Sequence, residues 1–294
     1  MYSYFVYGLN IHCDFPLHGI TPKDVEPEVV IRFGDLKTFE ANQNENYTLF
    51  ATPETFCHNC KNVGTFYFQN GKEVIIDPVP DIQDGVLSSF VTGIVMAVIL
   101  HQRGFLVLHS SAVKIKDYTA GFLGDSGTGK STLAAYLQLT MGGSHLTDDA
   151  LPIVFSDKKA FGIPGYPQLK LWTDSVKSLG LNMDELPKVY ESMDKRAYRF
   201  TQELSSEPVL LNGLFIVEEG PELTIERLDF PSSFIEIMKN SFMNRYLFQT
   251  ENTQSHFEQV NKLLKTVPVF KLQRPKVYEL LPEVAAMVGK HILK

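Results

Sequence analysis

The segment Gly124 to Ser131 has the composition of a loop that binds phosphate groups. It reads Gly124-Asp125-Ser126-Gly127-Thr128-Gly129-Lys130-Ser131, which matches the pattern G-x-x-x-x-G-K-[ST]. The glycines allow tight turns in which backbone N–H groups point at phosphate oxygens, and the helix predicted after the loop adds its positive N-terminal end. Lys130 would reach the β- and γ-phosphates, and the hydroxyl of Ser131 would bind Mg²⁺. The segment therefore predicts binding of ATP with Mg²⁺.

A pair of carboxylates, Asp148 and Asp149, follows the strand-like residues His145-Leu146-Thr147. A kinase needs one carboxylate to hold Mg²⁺ and often a second to accept the proton of the attacking hydroxyl. Because adjacent residues on a strand point to opposite faces, the two could serve these different roles. A solvated acidic turn is the alternative. His109 ends the apolar run from Leu106, a place where a histidine is more often structural.

Two signatures that would indicate other nucleotide-dependent proteins are absent from the chain. The guanine-selecting pattern [NT]-K-x-D is missing, since Asn261-Lys262-Leu263-Leu264 lacks the aspartate, and so is the L-S-G-G-Q sequence of transport ATPases. The loop and the acidic pair therefore favour a kinase over a GTPase switch or a transporter ATPase.

The elements around the loop are predicted to form hairpins. Strands are expected at Phe105 to His109, Ala112 to Ile115 and Tyr118 to Leu123 before the loop, and at Leu151 to Phe155 and Ala160 to Ile163 after it. An all-parallel sheet would need a helical crossover between strands. We therefore predict a mixed or antiparallel α/β core, with a helix over Ser131 to Leu139. Further strands are expected at Val209 to Glu218, Leu223 to Leu228 and Val267 to Leu272, and further helices at Ser232 to Asn240, Glu251 to Lys265 and Val277 to Ile292.

The first part of the chain is predicted to be a separate β-rich domain, residues 1–83, followed by an ATP-binding domain, residues 84–294. Its strands include Tyr4 to Leu9, Val29 to Phe33 and Tyr47 to Ala51, and a hairpin turns at Asn70-Gly71, the preferred pair for a tight turn. Two prolines then place a boundary near Gln83. The apolar stretch Val86 to Leu100 is shorter than the ~20 residues that a bilayer needs, so a buried helix over Val86 to Gln102 is expected.

Charge and cysteine content exclude several classes of protein. The 294 residues carry a formal net charge of −7, which implies no general basic surface and no nucleic-acid partner. Three cysteines do not indicate a disulfide framework, and no signal peptide is evident at the N-terminus, so a cytoplasmic location without a membrane is expected. Cys57 and Cys60 have metal-ligand spacing. Structural zinc needs four ligands, which His12 and Cys13 would have to complete, and buried apolar cysteines are the favoured interpretation.

The order of His109, the phosphate loop and Asp148-Asp149 resembles the catalytic domain of bacterial HPr kinase/phosphorylase, over roughly Phe105 to Phe155. That family is related to phosphoenolpyruvate carboxykinase. The resemblance implies an HPr-kinase-like core carrying a β-rich N-terminal domain. It also implies that Asp149 is the base, that Asp148 lies near the metal with Ser131, and that His109 lies near the phosphates.

Within this group, the chain is similar to the kinases of lasso-peptide gene clusters, which phosphorylate a C-terminal serine of a precursor peptide with ATP. The similar segments are His109-Ser110-Ser111-Ala112-Val113, Gly129-Lys130-Ser131-Thr132, Thr147-Asp148-Asp149, Gly165-Tyr166-Pro167-Gln168-Leu169-Lys170-Leu171-Trp172, Tyr7-Gly8-Leu9 and Phe270-Lys271-Leu272. Thr132 stands where HPr kinase/phosphorylase has a glutamate. This difference argues against the same metal coordination and against phosphorylase activity. The N-terminal segment does not resemble the regulatory domain of that enzyme, so HPr is not the preferred acceptor.

Other residues are candidates for binding the nucleotide or the acceptor. Lys195 and Arg196 could stabilise charge on the transferring phosphoryl group, which adds them to the nucleotide-binding set of Gly124 to Thr132. Tyr166, Lys170 and Trp172 line an acceptor groove or pack in the core. A kinase of HPr, of free serine or of another small metabolite, and a non-enzymatic ATP-binding module, are left as alternatives. Whether the N-terminal domain binds a leader peptide or mediates a homo-oligomer is also open.

Overall fold

The structure is a computed structural model that describes residues 1–39, 46–189, 193–200, 207–242 and 253–292. Their contacts define two compact units. The first contains residues 1–106 and, from the later part of the chain, 253–257. The second contains residues 107–242 and 258–292. The phosphate loop and the acidic pair both belong to the second unit.

A seven-stranded sheet forms the first unit, in the order β1-β2-β3-β7-β6-β5-β4. The strands are β1 (Tyr2–Val6), β2 (Leu9–Cys13), β3 (Val29–Phe33), β4 (Tyr47–Ala51), β5 (Thr55–Cys60), β6 (Gly64–Gln69) and β7 (Glu73–Pro78). The hairpin around Asn70-Gly71 is confirmed, and both residues have positive φ angles of 53° and 60°. The single strand predicted over Tyr4 to Leu9 is wrong, because Tyr7 and Gly8 also adopt positive φ and turn the chain between β1 and β2.

One continuous helix follows the sheet and belongs to the first unit. It consists of α1 (Asp84–Phe90), a π-helical turn over Val91–Val95 and α2 (Met96–Gln102). It contacts residues before it in the chain: Tyr7 Oη donates to Thr92 O at 3.3 Å, and His18 N donates to Ser88 Oγ at 2.7 Å. The boundary predicted near Gln83 therefore falls inside this unit.

The length of this helix differs from the expectation. The polar ends extend it to 19 residues, Asp84–Gln102, with a mean hydropathy of 1.7 over its apolar window. By length and composition alone it could cross a membrane, but 67% of that window is buried inside the structure. The core helix of a folded unit has the same properties, which agrees with the buried helix that the sequence predicted.

A nine-stranded sheet forms the centre of the second unit, in the order β15-β12-β11-β8-β9-β16-β18-β17, with β10 paired to β8. Its strands are β8 (Leu106–Ile115), β9 (Tyr118–Leu123), β10 (Ser144–Thr147), β11 (Ala150–Ser156), β12 (Lys159–Gly162), β15 (Val209–Leu210), β16 (Gly213–Glu219), β17 (Thr224–Arg227) and β18 (Val269–Arg274). β16 runs parallel to both β9 and β18, whereas β8–β9, β11–β12 and β17–β18 are antiparallel. The prediction of a mixed α/β core is confirmed. A separate pair is formed by β13 (Gln168–Trp172) and β14 (Lys195–Arg199).

Two strand predictions in this unit require correction. The strands expected before and after Ser110-Ser111 are one strand, β8, because both serines are buried and continue its pairing with Leu123 and Phe122 of β9. The strand expected over Val209 to Glu218 is broken into β15 and β16 at Asn212, whose side chain accepts a hydrogen bond from Thr119 N at 2.9 Å.

Helices cover the sheet of the second unit and build its core. They are α3 (Lys130–Met141), α4 (Thr173–Ser178), α5 (Phe230–Lys239), α7 (Leu281–Ile292) and, from Glu258 onward, α6 (Thr253–Leu264), whose first residues belong to the first unit. Short 3₁₀ turns lie at Met183–Glu185 and Tyr278–Leu280. Residues 251 and 252, predicted as the start of α6, lie outside the described residues. Apolar side chains of α3 and α7 pack on Phe122 of β9 and Phe215 of β16, whose rings lie 5.7 Å apart. This core holds the end of β9 and the start of α3, between which the phosphate loop lies.

Candidate active site

The phosphate loop connects β9 to α3 in a conformation that requires glycine. Gly124, Gly127 and Gly129 have φ angles of 132°, 88° and 93°, a region that residues with a side chain rarely adopt. A Cβ atom on Gly124 would lie 2.4 Å from Val217 O, and one on Gly129 would lie 2.2 Å from Arg274 Nη2. A larger residue at Gly124 would therefore collide with the backbone of β16, and one at Gly129 would have to displace the guanidinium group of Arg274.

The ammonium group of Lys130 lies on the inside of the loop. Its Nζ donates to Gly124 O at 2.7 Å and to Asp125 O at 3.0 Å, and the residue is 8% exposed. Burial lowers the pKa of Lys130, while the carboxylates of Asp148 and Asp149 oppose that shift. The ammonium group of Lys130 is thus held against the backbone of the loop in which the motif predicts that phosphate binds.

Asp148 lies behind the loop and joins β8 to the first turn of α3. Its Oδ1 accepts hydrogen bonds from Ser131 Oγ at 2.9 Å and from Ser111 Oγ at 2.5 Å, and its Oδ2 accepts from Lys170 N at 2.9 Å. Burial raises the pKa of Asp148, and the neighbouring Asp149 raises it further. A serine hydroxyl and a carboxylate oxygen in contact are hard oxygen donors of the kind that Mg²⁺ prefers.

The described residues contain no group of three or more His, Cys, Asp or Glu side chains that could hold a metal ion by themselves. Mg²⁺ keeps several waters and takes one or two protein ligands together with phosphate oxygens. The Ser131 hydroxyl and the Asp148 carboxylate, which are in contact, fit this pattern for Mg²⁺ bound together with a nucleotide.

Asp149 faces the opposite way from Asp148 and lines a cavity beside the loop. The two residues connect β10 to β11, and Asp149 has a φ of 73°, which separates the directions of the two carboxylates. Asp149 Oδ2 forms an ion pair with Lys170 Nζ at 2.9 Å. Burial alone would raise the pKa of Asp149, but the charge of Lys170 outweighs it and holds that pKa well below its usual range. Asp149 is therefore ionised at neutral pH.

His109 lies next to Asp149 on β8. Its Nδ1 donates to the backbone oxygen of Asp149 at 3.0 Å, and its ring meets that of Phe242 edge-on with centroids 6.0 Å apart. Burial lowers the pKa of His109, and the Lys130 ammonium lowers it further. The imidazole is therefore neutral near pH 7, and its Nε2 atom is left as a hydrogen-bond acceptor.

Two adjacent basic residues on β14 have different positions. Lys195 pairs in register with Trp172 of β13, and its Nζ lies 4.8 Å from the centroid of the indole ring. Both residues line the cavity. Arg196 points away, and its guanidinium donates to Leu186 O at 3.2 Å. The two differ because neighbours on a strand face opposite sides.

The cavity beside the loop collects most of the residues that the sequence singled out. It is lined by His109, Ser111, Ser126, Gly127, Gly129, Lys130, Ser131, Thr132, Asp149, Lys170, Trp172 and Lys195. Gly124, Asp125 and Thr128 shape the loop without lining this cavity, and Asp148 lies behind it. Tyr166 is a core residue at 1% exposure, with the Lys170 ammonium 5.9 Å from the centroid of its ring.

Three residues that support the site were not predicted. Ser111 follows His109 by two positions on β8, so the alternation of the strand could have indicated it. Asn240 Oδ1 accepts from Gly124 N at 2.8 Å, and Arg274 Nη2 donates to Thr128 O at 3.1 Å. These two lie 116 and 146 positions from their partners along the chain, and no local pattern points to them.

Comparisons with known proteins find a distant structural likeness. No model of a protein family matches the chain, and no curated protein matches its sequence. Among solved structures, the chain is similar to the Hpr(Ser) kinase/phosphatase from Coxiella burnetii, with 13% identity and a TM-score of 0.32. The match covers 64% of this chain and 96% of that one. A TM-score of 0.32 describes a distant likeness, and the function proposed below rests on the residues of the site.

Proposed function

We propose that this protein is an ATP-dependent kinase that transfers the γ-phosphoryl group to a serine hydroxyl. The observation that carries the proposal is the placement of two carboxylates around one phosphate loop. Asp148 contacts the loop hydroxyl of Ser131, where a metal ion would bind, and Asp149 lines the cavity with Lys130 and His109. A loop that only bound nucleotide would not need the second carboxylate in that cavity.

The loop and the lysines would hold and neutralise the phosphates. The backbone N–H groups of the loop and the N-terminus of α3 favour phosphate oxygens. Ser131 and Asp148 would hold Mg²⁺, which would neutralise phosphate charge. Lys130 and Lys195 both lie at the cavity and would stabilise the charge that the γ-phosphoryl group carries during transfer.

Asp149 is the proposed base. The serine oxygen attacks the γ-phosphorus, the bond from that phosphorus to the β–γ bridging oxygen breaks, and ADP leaves with the bond electrons. The hydroxyl proton goes to Asp149, which Lys170 keeps ionised and fixed in position. His109 fixes the backbone of Asp149 from the other side. Positioning and electrostatic stabilisation then supply most of the rate enhancement.

For the acceptor, we propose the C-terminal serine of a lasso precursor peptide. We further propose that the reaction takes place in the cytoplasm and that the core of the kinase is of the phosphoenolpyruvate carboxykinase type. The support is the resemblance of the segments around His109, the loop, the acidic pair and Trp172 to the kinases of lasso-peptide clusters. The basic side chain of Lys195 and the indole of Trp172 line the same cavity as Asp149. An acidic or carboxylate-ended peptide segment would meet complementary charge there.

The experiment is an acceptor comparison read by mass spectrometry. The protein is incubated with ATP and Mg²⁺ and, in separate reactions, with a serine-ended precursor peptide, free serine or HPr. We expect a gain of one phosphoryl group on the peptide serine, lost in Asp149→Asn and kept in Asp117→Asn, a control at an exposed turn of the same unit.

Each other result of this comparison has a distinct meaning. Phosphorylation of free serine or HPr in place of the peptide would keep the chemistry and replace the acceptor. Binding of ATP without modification of any acceptor, together with full biological activity of Asp149→Asn, would contradict the kinase proposal. That result would indicate a non-enzymatic ATP-binding module.

A further inference from the structure

A second cavity, of about 270 Å³, adjoins the phosphate loop in the second unit. Gly127, Gly129, Thr132 and Trp172 line both cavities, so the two are contiguous along the loop and the start of α3. The cavity size is close to the lower end of the ~300–1,000 Å³ that is usual for small-molecule sites. A ligand in the phosphate loop could therefore extend into this second space.

The two cavities differ in whether the proposed base and its neighbours line them. His109, Lys130, Asp149 and Lys170 line the first cavity and are not among the lining residues of the second. A phosphoryl acceptor must reach the proposed base, Asp149, and so must enter the first cavity. The second cavity is then left for the part of the nucleotide that does not react.

Arg274, at the end of β18, is a buried cation facing this second space. It is 3% exposed, and Nη2 donates to Thr128 O at 3.1 Å. Within the described part of the chain, its Nε and Nη1 atoms are buried without a hydrogen-bond acceptor. Buried N–H groups of a charged side chain are costly to leave unpaired. An acceptor supplied by a ligand would satisfy them.

The remaining walls of the cavity have the chemistry that a nucleoside needs. The rings of Trp172 and Tyr278 are 41% and 36% exposed and line the cavity, and aromatic side chains of this kind stack on nucleobases. The carboxylates of Asp174 and Asp194 also line it. Carboxylates accept hydrogen bonds, which the hydroxyl groups of a ribose can donate.

A hydrogen-bonded chain connects this cavity to the helix that follows the loop. Thr132 Oγ1 lies 2.8 Å from Ser175 Oγ, which lies 3.3 Å from the hydroxyl of Tyr278. The Tyr278 ring is therefore held in position relative to the first turn of α3. A base stacked on it would continue directly from phosphates bound at that turn.

We propose that this cavity binds the nucleoside part of the nucleoside triphosphate, and that Arg274 donates hydrogen bonds to it. The inference rests on the proposed function, because it takes the phosphates to lie in the loop. It adds a residue that determines nucleotide affinity and that lies on β18, far along the chain from the loop motif.

Isothermal titration calorimetry with two probes tests the proposal. The probes are ATP and inorganic tripolyphosphate, each with Mg²⁺, because the second carries the phosphates without a nucleoside. We expect the unmodified protein to bind ATP at least about tenfold more tightly than tripolyphosphate. Arg274→Met should weaken ATP binding by about tenfold to a hundredfold, the usual loss for hydrogen bonds to a charged group. It should weaken tripolyphosphate binding by a clearly smaller factor, because only the hydrogen bond to Thr128 O bears on the phosphates.

A second variant tests the cavity without touching the loop. Tyr278→Ala removes a stacking surface and should weaken ATP binding by about tenfold, with little effect on the binding of tripolyphosphate. Lys271→Met is the control, since Lys271 lies on the same strand as Arg274 and pairs with Glu218 at 2.8 Å. It should leave the affinity for both probes unchanged.

The outcomes separate this inference from the function on which it rests. If the unmodified protein binds ATP and tripolyphosphate equally, or if Arg274→Met weakens both alike while Tyr278→Ala weakens neither, the cavity does not bind the nucleoside. A rise in the acceptor KM of Tyr278→Ala with unchanged ATP affinity would overturn it as well. If the unmodified protein binds neither probe, the proposed function itself fails.

Discussion

Both units bury polar groups, but the surroundings of these groups differ between the two units. In the first unit, buried polar side chains pair with neighbours on the sheet: Thr65 Oγ1 donates to Asn59 Oδ1 at 3.2 Å, and Thr48 Oγ1 lies 3.0 Å from His58 Nδ1. In the second unit, Lys130, Asp149 and Lys170 surround a cavity that can admit a ligand. Burial of a polar group alone therefore does not identify a site; several such groups around one cavity do.

This contrast gives an expectation for substitutions. A cavity group of the second unit stabilises a charged ligand, so its loss should reduce phosphoryl transfer with little effect on folding. A buried group of the first unit contributes to the fold, so its loss should change stability and leave transfer by the folded protein unchanged. Substitutions in the second unit should therefore have the largest effects on transfer, and substitutions in the first unit should mainly change stability.

The largest effect is expected for Lys130→Met. The ammonium contacts only backbone oxygens of the loop among the described hydrogen bonds, and removing it deletes one cation from the transferring phosphate. Loss of one such stabilising group typically lowers a rate by about 10²–10³-fold. We expect that fall in kcat/KM for ATP, with a change in unfolding midpoint of a few degrees at most. Lys177→Met, at an exposed position of α4, is the control, and normal transfer by Lys130→Met would contradict the site assignment.

A smaller effect is expected for Lys195→Met, with its neighbour as the matched control. Lys195 lines the cavity over Trp172, whereas Arg196 donates to Leu186 O away from it. We expect Lys195→Met to lower the transfer rate by about 10–10²-fold and Arg196→Met to change it less than about twofold. Single-turnover kinetics with the peptide acceptor would measure both. Equal losses of transfer rate in the two variants would show that the side of β14 on which a basic residue lies does not determine its contribution to transfer.

These two residues also show what sequence reasoning could reach. The loop and the acidic pair were predicted because their residues are adjacent in the chain and follow a known pattern. Which of Lys195 and Arg196 faces the cavity depends on the register of β13 with β14, which the local sequence does not contain. The same holds for Asn240 and Arg274, whose contacts join distant strands, and for the ion pair of Lys170 with Asp149. The helix after Gln83 was predicted correctly, but its membership in the first unit depends on tertiary contacts such as that of Tyr7.

In the first unit, the expected effect is on stability and depends on pH. Burial, together with a smaller contribution from nearby His101, lowers the pKa of His256 to about 4. The unfolded chain, with a histidine pKa of about 6.5, takes up this proton first, so stability present above that pH is lost as the pH falls toward 4. His256 alone should account for a loss of about 2 kcal/mol between about pH 7 and about pH 5. In urea unfolding, the free energy of unfolding of His256→Gln should depend correspondingly less on pH. The ATP affinity of this variant at about pH 7 should be unchanged. A pH dependence equal to that of the unmodified protein would contradict the assignment of this stability loss to His256.

The smallest effect on function is expected for the cysteines. Cys13, Cys57 and Cys60 are free and buried, and burial raises their thiol pKa values to about 12, about 11 and about 12. Because the thiolate is the reactive form, these thiols should be inert in the folded protein. An aromatic disulfide reagent should label none of them in buffer and all three in denaturant, and a zinc-selective chelator, with Mg²⁺ kept in excess, should not alter transfer. Cys57→Ala should lower the unfolding midpoint without changing kcat. Two results would contradict this prediction: rapid labelling of Cys57 or Cys60 in the native protein, or loss of transfer in Cys57→Ala with an unchanged unfolding midpoint. Either result would place a functional group in the first unit, and the contrast between the two units would no longer hold.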